Sequence, residues 1–419
     1  MATETTPQRT FPHTRTTPLN SPTSSASRTG ATSRTVLTAL ATTATAVLVG
    51  AGLVTPAAAA ATHTPAPSLR HGADAVHDTG TVGVVVRSTG PHGSRTATAG
   101  VADQETGRPA RPGDTFRIAS STKTFVSTVV LQLVGEGRLS LDDTVEDLLP
   151  GVVTGNGNNG RDITVRQLLN HTSGLFDFTQ DFPVLTDIDA FQQGHLRSWT
   201  DDQLVATAMK HPPVFAPGKD WSYSNTNYVL AGMIIEKVTG RSWQHEVTGR
   251  IIRPLGLRRT TAPYTDPYMK GPHLKGYSAF GAEGRTPIDV SVMNPSGAGS
   301  AGAMISNTAD LTAFYSALMK GRLLKPAQLA EMETTVRAKE LDPAWPGARY
   351  GLGLMKVPLS CGGSYYSHGG DLSGYTTRNG FSADGRHVVV VAATGDGDDD
   401  TTPAANAVID EQLCADGGR

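Results

Sequence analysis

This sequence has few cysteines and few aromatic residues, and its positive and negative charges are nearly balanced. Two cysteines in 419 residues are too few for a disulfide-built scaffold or a cysteine-rich zinc site. Because 36 basic residues stand against 38 acidic ones, a nucleic-acid-binding surface is not indicated. A disordered chain is not indicated either, since 38% of the residues are hydrophobic and only 18% are charged. The length fits one large two-lobed domain or two to three ordinary ones.

The first 61 residues have the layout of an export signal. Four arginines and a single glutamate lie within residues 1–35, an uncharged stretch covers 36–54, and small residues extend to Ala61. This order is typical of a secretory signal peptide, so we expect cleavage near residues 59–61 and a secreted, extracellular mature protein. An uncleaved membrane anchor is the alternative, although the stretch only just reaches the length needed to span a bilayer.

Export also changes the interpretation of the two cysteines. In an oxidising compartment, Cys361 and Cys414 are expected to form one structural disulfide. The alternative is a pair of free thiols.

Two β-hairpins are predicted, one near each end of the mature chain. Residues 81–87 and 95–101 flank a turn that contains Gly90 and Pro91. Residues 375–383 and 387–391 flank the dipeptide Asp384-Gly385, which suits a type I′ turn.

Helical patterns lie between the two hairpins and after the second one. Apolar residues at helical spacing follow Ser120 as far as residue 136, and further helices are predicted over 164–170, 228–238 and 402–413. The order of strands, helices, strands and helix favours an α+β fold. In that fold an antiparallel sheet made from N- and C-terminal strands is flanked by helices, with an all-helical lobe between the two groups of strands.

No linker or internal repeat divides the mature chain. We therefore expect one domain over residues 62–419. Its α/β lobe would comprise about 75–119 and 300–419, and its helical lobe would comprise about 120–299.

Ser120 and Lys123 are the first candidates for chemistry. Ser120 is the only serine in the chain that has a lysine three residues further on. At that spacing on a helix the two side chains share a face, and a lysine that has lost its proton can take the proton of the serine hydroxyl. Taken alone, the pair could equally be an exposed serine and lysine on a solvated helix face.

Tyr223, Asn225 and His368 are the next candidates. In an extended segment Tyr223 and Asn225 would point the same way and could line a cleft with a phenol and a carboxamide. His368 precedes two glycines, which allow another backbone to approach closely, and a histidine can supply a proton near neutral pH. Taken alone, Tyr223 and Asn225 could belong to an ordinary turn before a helix, and His368 could lie by chance in a glycine-rich turn.

Together these motifs resemble those of the penicillin-recognising serine hydrolases. The order Ser-x-x-Lys, Tyr-x-Asn and His-x-Gly is typical of that superfamily, which includes β-lactamases, D-alanyl-D-alanine carboxypeptidases, D-aminopeptidases and esterases. The flanking sequence is most similar to secreted soluble D-alanyl-D-alanine carboxypeptidases. The flanking segments that carry this similarity are residues 115–119, 163–175, 217–228, 300–303, 350–354 and 359–362.

The resemblance implies a role for each motif residue. Ser120 would be the acylated nucleophile, Lys123 the group that activates it, and Tyr223 the relay that passes the proton to the leaving group. Asn225 would hold the substrate amide, and His368 would stand where relatives carry lysine or histidine. The oxyanion hole would be formed by the backbone amides of Ser120 and Asp371. Gly369, Gly370, Asp371 and Phe182 would contact the substrate, and Cys361 and Cys414 would be bonded.

The departures from the family pattern concern the substrate. In the carboxypeptidases, two threonines of a His-Thr-Gly-Thr motif and an arginine hold the terminal carboxylate of the peptide. The matching positions here are Gly369, Asp371 and Met355. An acid at this place suits a neutral or amine-bearing substrate better than a carboxylate.

The sequence therefore predicts a secreted serine hydrolase that acts on D-amino-acid peptides, like a D-alanyl-D-alanine carboxypeptidase, through an acyl-enzyme. An esterase, a D-aminopeptidase or amidase, and a β-lactamase of the same fold are alternatives. A non-catalytic cell-wall or penicillin-binding protein is the alternative of another class. We expect no cofactor, no metal, no nucleic-acid partner, no stable membrane anchor and a monomer.

The acidic residues 396–400 could be interpreted as a calcium-binding loop. Residues 396–400 hold four aspartates but lack the glycine and the distant glutamate of an EF-hand loop. A solvated acidic loop before the last helix is the expectation.

Overall fold

The sheet predicted from the two ends of the chain forms in the structure, a computed structural model that describes residues 68–281 and 285–415. Ten strands of this part of the chain form one antiparallel sheet. The order across it is β10-β11-β12-β13-β15-β16-β1-β2-β3, and β14 pairs with β15 outside that order. The strands are β1 (Gly83–Gly90), β2 (Gly93–Asp103), β3 (Arg108–Pro109), β4 (Phe116–Arg117), β5 (Thr154–Gly155), β6 (Asn158–Asn159), β7 (Tyr277–Ser278), β8 (Ile288–Asp289), β9 (Ile305–Ser306), β10 (Val336–Arg337), β11 (Arg349–Tyr350), β12 (Met355–Pro358), β13 (Ser364–Ser367), β14 (Gly370–Leu372), β15 (Tyr375–Phe381) and β16 (Val388–Thr394).

Helices cover both faces of the sheet and make up most of the middle of the chain. The signal peptide predicted for residues 1–61 lies outside the described residues. The helices are α1 (Leu69–His77), α2 (Thr122–Gly135), α3 (Val145–Leu148), α4 (Val165–Leu169), α5 (Ile188–Gly194), α6 (Asp201–Ala208), α7 (Asn225–Thr239), α8 (Trp243–Val247), α9 (Arg253–Leu255), α10 (Gly299–Gly302), α11 (Thr308–Met319), α12 (Pro326–Glu333) and α13 (Thr401–Ala415).

Strands β1 and β16 lie next to each other and are buried on both sides. Their side chains pack alternately into two different hydrophobic cores, because successive residues of a strand point to opposite faces of the sheet. Val84 and Val391 belong to the core under α1 and α13, whereas Val85 and Val390 belong to the core that continues into the helical region. This double burial explains why β16 is a continuous run of apolar residues and why β1 begins with one, rather than alternating.

Both predicted hairpins are confirmed, with one difference in the second turn. Residues of β1 and β2 pair from Gly83 opposite Gly100 to Gly90 opposite Gly93. Strands β15 and β16 pair likewise, but the turn between them is not type I′. That type needs positive φ at both central residues, whereas in Asp384-Gly385 only the glycine, at φ 64°, has it.

Two further features bear on the predictions. Cys361 and Cys414 form a disulfide, which ties the segment after β12 to the end of α13. Within residues 68–281 and 285–415, no helix combines the length and the apolar character that a membrane crossing requires.

Candidate active site

Ser120 lies at the point where the chain turns into helix α2. A short 3-10 turn, Ala119–Ser121, leads directly into the helix. Ala119 has a left-handed backbone with φ 46°, which costs free energy in a residue with a Cβ and is often found beside catalytic groups. Ser120 is partly exposed, while the helix that follows is almost entirely buried. The hydroxyl is thereby presented to solvent from a rigid base.

Lys123 stands behind Ser120 and is fully buried. Its Nζ donates to Ser120 Oγ at 2.9 Å, to Asn225 Oδ1 at 2.7 Å and to the carbonyl of Ala301 at 2.8 Å. Burial lowers the pKa of Lys123 to about 7, and the charge of Asp177 opposes that shift. A lysine with this pKa is neutral in a large fraction of molecules near pH 7, so it can accept the proton of Ser120.

Tyr223 and Asn225 flank Ser224, the residue that precedes helix α7. Ser224 is extended and Asn225 is already the first residue of the helix, so the extended segment predicted here is shorter than expected. Asn225 receives the hydrogen bond of Lys123 on its oxygen and donates from Nδ2 to Asp177 at 3.0 Å. The carboxamide thereby links the lysine to a carboxylate.

The phenol of Tyr223 completes the group around the nucleophile. Desolvation raises the pKa of Tyr223 well above its ordinary value, and a hydrogen bond with Ser120 works in the opposite direction. The ring lies 4.8 Å from Lys123 Nζ. A phenol that keeps its proton can pass one on but cannot act as a base, whereas the neutral amine of Lys123 can.

His171 holds the segment that carries Tyr223. Its ring packs against that of Tyr223 with 4.3 Å between centroids, and its Nδ1 accepts hydrogen bonds from the amide of Ser224 and from Asn227. Burial lowers the pKa of His171 well below its ordinary value. These contacts give His171 a structural role after the end of α4, where it positions Tyr223.

His368 is held as a neutral imidazole. Its Nδ1 lies 2.8 Å from the carbonyl of Gly369, so Nδ1 carries the hydrogen and Nε2 accepts the hydroxyl hydrogen of Tyr350 at 2.7 Å. Burial lowers the pKa of His368 to about 3. The imidazole therefore carries no extra proton near neutral pH, and the expectation that this side chain supplies one is wrong.

Strand β14 runs past Ser120 at very short range. A Cβ on Gly370 would stand 2.2 Å from the carbonyl oxygen of Ile118 and 2.8 Å from the amide nitrogen of Ser120, so only glycine fits. The carbonyl of the preceding His368 accepts a hydrogen bond from Ser121 at 2.7 Å. This close approach brings the backbone of β14 beside that of Ser120, as a shared oxyanion hole would require.

A cavity of about 330 Å³ opens in front of Ser120. Asn225 and Asp371 line it, as sequence analysis predicts, together with Phe178, Leu185 and Asp396. Tyr223, Gly369 and Gly370 do not line it, contrary to prediction, because each is packed against neighbouring protein groups. Phe182 does not line it, contrary to prediction. Its ring is buried against Phe178 and Trp199, which pack at 5.6 and 4.7 Å, and Phe178 takes the place on the cavity wall.

Residues 396–400 form an acidic loop before α13 whose four aspartates are exposed, as predicted. The carboxylate of Asp396 also joins three segments. It accepts hydrogen bonds from the Ser278 hydroxyl at 3.0 Å, the Ala279 amide at 2.8 Å and the Gly374 amide at 3.3 Å. Among the residues that the structure describes, no three His, Cys, Asp or Glu side chains gather closely enough to hold a metal ion.

Sequence reasoning did not select Asp177, Tyr350 or Arg378. Tyr350 lies in a segment that contributes to the family resemblance, so its position carried a usable signal. Asp177 and Arg378 reach the site only through tertiary contacts with Asn225 and Asp371, and no local motif marks them.

This fold, with a serine at a cavity and a buried lysine of lowered pKa and a phenol beside that serine, defines a serine hydrolase of the β-lactamase/transpeptidase-like superfamily. The model of the family described as Beta-lactamase matches residues 69–413, so the chain belongs to that family.

Known proteins similar to this chain include amidases and penicillin-binding proteins. The D-stereospecific amidohydrolase from Streptomyces sp. is 45% identical with a TM-score of 0.74, over 80% of this chain and 97% of that one. The D-amino acid amidase from Ochrobactrum anthropi SV3, complexed with D-phenylalanine, is 27% identical with a TM-score of 0.71, over 83% and 97%. Penicillin-binding protein 4 of Amycolatopsis lactamdurans is 31% identical over 52% of this chain and 54% of that protein. Matched segments span between 33% and 65% of the length of the first curated relatives.

Proposed function

We propose that the protein is a D-stereospecific amidase that hydrolyses amides and short peptides of D-amino acids with a free amino group. The observation that carries this proposal is the charge of the cavity in front of Ser120. Its lining includes the carboxylates of Asp371 and Asp396, and no lysine, arginine or histidine is among the described residues that line it. An ammonium group is therefore favoured there over a carboxylate.

Asp396 is the acid whose charge remains available in that cavity. Its three hydrogen-bond donors are all neutral, and no cation of residues 68–281 or 285–415 lies within 4.0 Å of it. Asp371, by contrast, pairs with Arg378. The similarity to the D-stereospecific amidohydrolase and to the D-amino acid amidase supports the same substrate class.

The reaction would proceed in two halves. Ser120 Oγ attacks the carbonyl carbon of the substrate as its proton passes to neutral Lys123, and the tetrahedral oxyanion is held by the amides of Ser120 and Asp371. The C–N bond then breaks while Tyr223 delivers a proton to the leaving nitrogen and regains one from Lys123. Water attacks the Ser120 ester in the second half, releases the D-amino acid and restores the serine hydroxyl.

A comparison of matched substrates tests this proposal. D-alanyl p-nitroanilide is set against its L-enantiomer and against its N-acetylated form, which keeps the scissile bond but lacks the ammonium group. We expect the highest kcat/KM for the free D-substrate and a loss of at least tenfold for either change. Ser120→Ala and Lys123→Ala should abolish turnover with retained folding by circular dichroism.

D-alanyl-D-alanine carboxypeptidase activity is the second candidate, supported by the penicillin-binding relatives. Release of D-alanine from N-acetyl-D-alanyl-D-alanine, faster than hydrolysis of the anilide, would overturn the amidase proposal in its favour. Preference for nitrophenyl esters would indicate an esterase, and turnover of benzylpenicillin a β-lactamase. Penicillin binding that survives Ser120→Ala, without turnover of any substrate, would indicate a non-catalytic binding protein.

We also propose that the protein is secreted after cleavage near residues 59–61 and acts as a monomer. The layout of residues 1–61 and the Cys361–Cys414 disulfide support export. Intact mass and light scattering of protein recovered from culture medium test both parts. An N-terminus before residue 36, or a mass twice that of the chain, would contradict them.

A further inference from the structure

The acid that lines the cavity beside Ser120 is bound to an arginine from the neighbouring strand. Asp371 on β14 lies opposite Thr376 of β15, and Arg378 is two residues further along β15. The side chains of Asp371 and Arg378 therefore lie on the same face. Arg378 Nη2 is 2.9 Å from Asp371 Oδ1.

The two members of this pair differ sharply in exposure. The side chain of Arg378 is 4% exposed, whereas that of Asp371 is 62% exposed. The guanidinium is thus fixed in the protein, and the carboxylate forms the surface that a substrate meets. A substrate that pairs with the edge of β14 would lie next to this carboxylate.

Asp371 is the carboxylate that balances the charge of Arg378 in the described part of the chain. The other partners of the guanidinium are neutral: the carbonyls of Thr377 at 2.9 Å and Gly370 at 3.5 Å, the hydroxyl of Thr402 at 2.7 Å and the ring of Trp345 at 5.3 Å. Nε of Arg378 has no hydrogen-bond partner. Without Asp371 the guanidinium would be an uncompensated buried cation at the cavity edge.

Gly369 lies directly against this cation. A Cβ at Gly369 would stand 3.3 Å from Arg378 Nη1, so a larger side chain would press on the guanidinium. An incoming carboxylate could pair with the arginine only if Asp371 did not already hold it.

We propose that Asp371 determines specificity by occupying Arg378 in place of a substrate carboxylate. With Asp371 present, a substrate that carries a carboxylate next to the scissile amide meets a like charge and finds no free cation. Without its charge, the same substrate meets an unpaired guanidinium. This inference rests on the proposed amidase function, because it explains why neutral or amine-bearing substrates are preferred.

The test uses a substrate pair that differs only in terminal charge. The value of kcat/KM for N-acetyl-D-alanyl-D-alanine is divided by that for its C-terminal amide. Asp371→Asn keeps the size and one hydrogen-bonding oxygen of the side chain but removes its charge. We expect the acid-to-amide ratio to rise at least tenfold, since a charge-assisted contact is gained and a like charge is lost.

Three further variants test whether the change in the acid-to-amide ratio comes from the Asp371–Arg378 pair. Asp371→Glu keeps the charge and should leave the ratio within about threefold of wild type. Asp396→Asn removes the other acid of the cavity but leaves Arg378 paired, so its ratio should change much less than that of Asp371→Asn. In the double variant Asp371→Asn/Arg378→Gln the gain should disappear.

Inhibition constants keep the test decisive if turnover of the peptides is slow or the double variant does not fold. N-acetyl-D-alanine should inhibit Asp371→Asn at least tenfold more tightly than wild type, with no such change for N-acetyl-D-alaninamide. An unchanged ratio and unchanged inhibition in Asp371→Asn, or an equal change in Asp396→Asn, would overturn the inference. Failure of the amidase proposal would show separately, as a wild-type enzyme that prefers the free acid.

Discussion

The hydroxyl of Tyr350 donates a 2.7 Å hydrogen bond to Nε2 of His368. Both side chains are buried, and the contact fixes the imidazole as the tautomer whose hydrogen is on Nδ1, facing the carbonyl of Gly369. The histidine of the third motif is therefore a neutral part of the wall behind the nucleophile. In the proposed mechanism, Lys123 and Tyr223 carry the proton transfers.

His368 is accordingly expected not to titrate between about pH 5 and 8. Long-range ¹H–¹⁵N spectra of histidine-labelled protein, assigned with a His368→Gln variant, should show constant shifts for the imidazole of His368. Because burial lowers the pKa of His368 to about 3, the unfolded chain binds a proton there before the folded one does. This site therefore makes the free energy of unfolding fall as the pH drops below about 6.5. A signal that titrates near 6.5 would contradict the neutral imidazole.

The pH dependence of kcat/KM should report Lys123. Only the neutral amine accepts the proton of Ser120, so activity should rise with pH and level off above the pKa of about 7. Asp177 raises the pKa of Lys123, so Asp177→Asn should move the midpoint to lower pH by ~0.5–1 unit. The profile is measured with a substrate that does not itself titrate in this range.

Asp181→Asn is the matched control for that shift. Asp181 lies in the same short segment but pairs with His211 rather than with Asn225. Its removal should leave the midpoint in place. A midpoint that moves to higher pH in Asp177→Asn, or equally in both variants, would contradict the assignment.

Gly370 should be far less tolerant of substitution than its neighbour Gly369. An alanine at 370 would put its Cβ 2.8 Å from the Ser120 amide nitrogen and force β14 away from the nucleophile. A displacement of this kind can cost about 10²-fold in rate. At Gly369 the nearest atom is 3.0 Å away, and we expect a loss below about tenfold. Single-turnover acylation rates of the Gly370→Ala and Gly369→Ala variants measure the two losses. Equal losses would show that the close approach of β14 to Ser120 does not determine the rate.

Loss of the disulfide should weaken the fold without changing the chemistry. Cys361 and Cys414 are 53 residues apart and do not line the cavity. Closing a loop of that length stabilises the folded state by at most ~4 kcal/mol in the chain-entropy model. The double variant Cys361→Ser/Cys414→Ser should lose up to that free energy of unfolding in urea titrations, with kcat/KM within about twofold of wild type. A large loss of kcat/KM in the still-folded variant would indicate that the bond positions the site.

Local sequence determined the elements and the nucleophile of this protein. The two hairpins follow from apolar strands and turn residues, and the start of α2 follows from helical spacing after Ser120. The Ser-x-x-Lys spacing brings Ser120, in the turn before α2, within 2.9 Å of Lys123 in the first turn of that helix. These features depend on residues close together in the chain.

The electrostatic character of the site was decided by tertiary structure. The pKa of Lys123 is lowered because packing removes the solvent around its amine. His368 does not act as the expected acid, because its Nε2 accepts the hydrogen bond of Tyr350. Asp371 pairs with Arg378 of the neighbouring strand. Phe182 turns into the core because Phe178 fills the wall that it was expected to form. Desolvation and cross-strand contacts depend on which segments the fold brings together, and no sequence period encodes them.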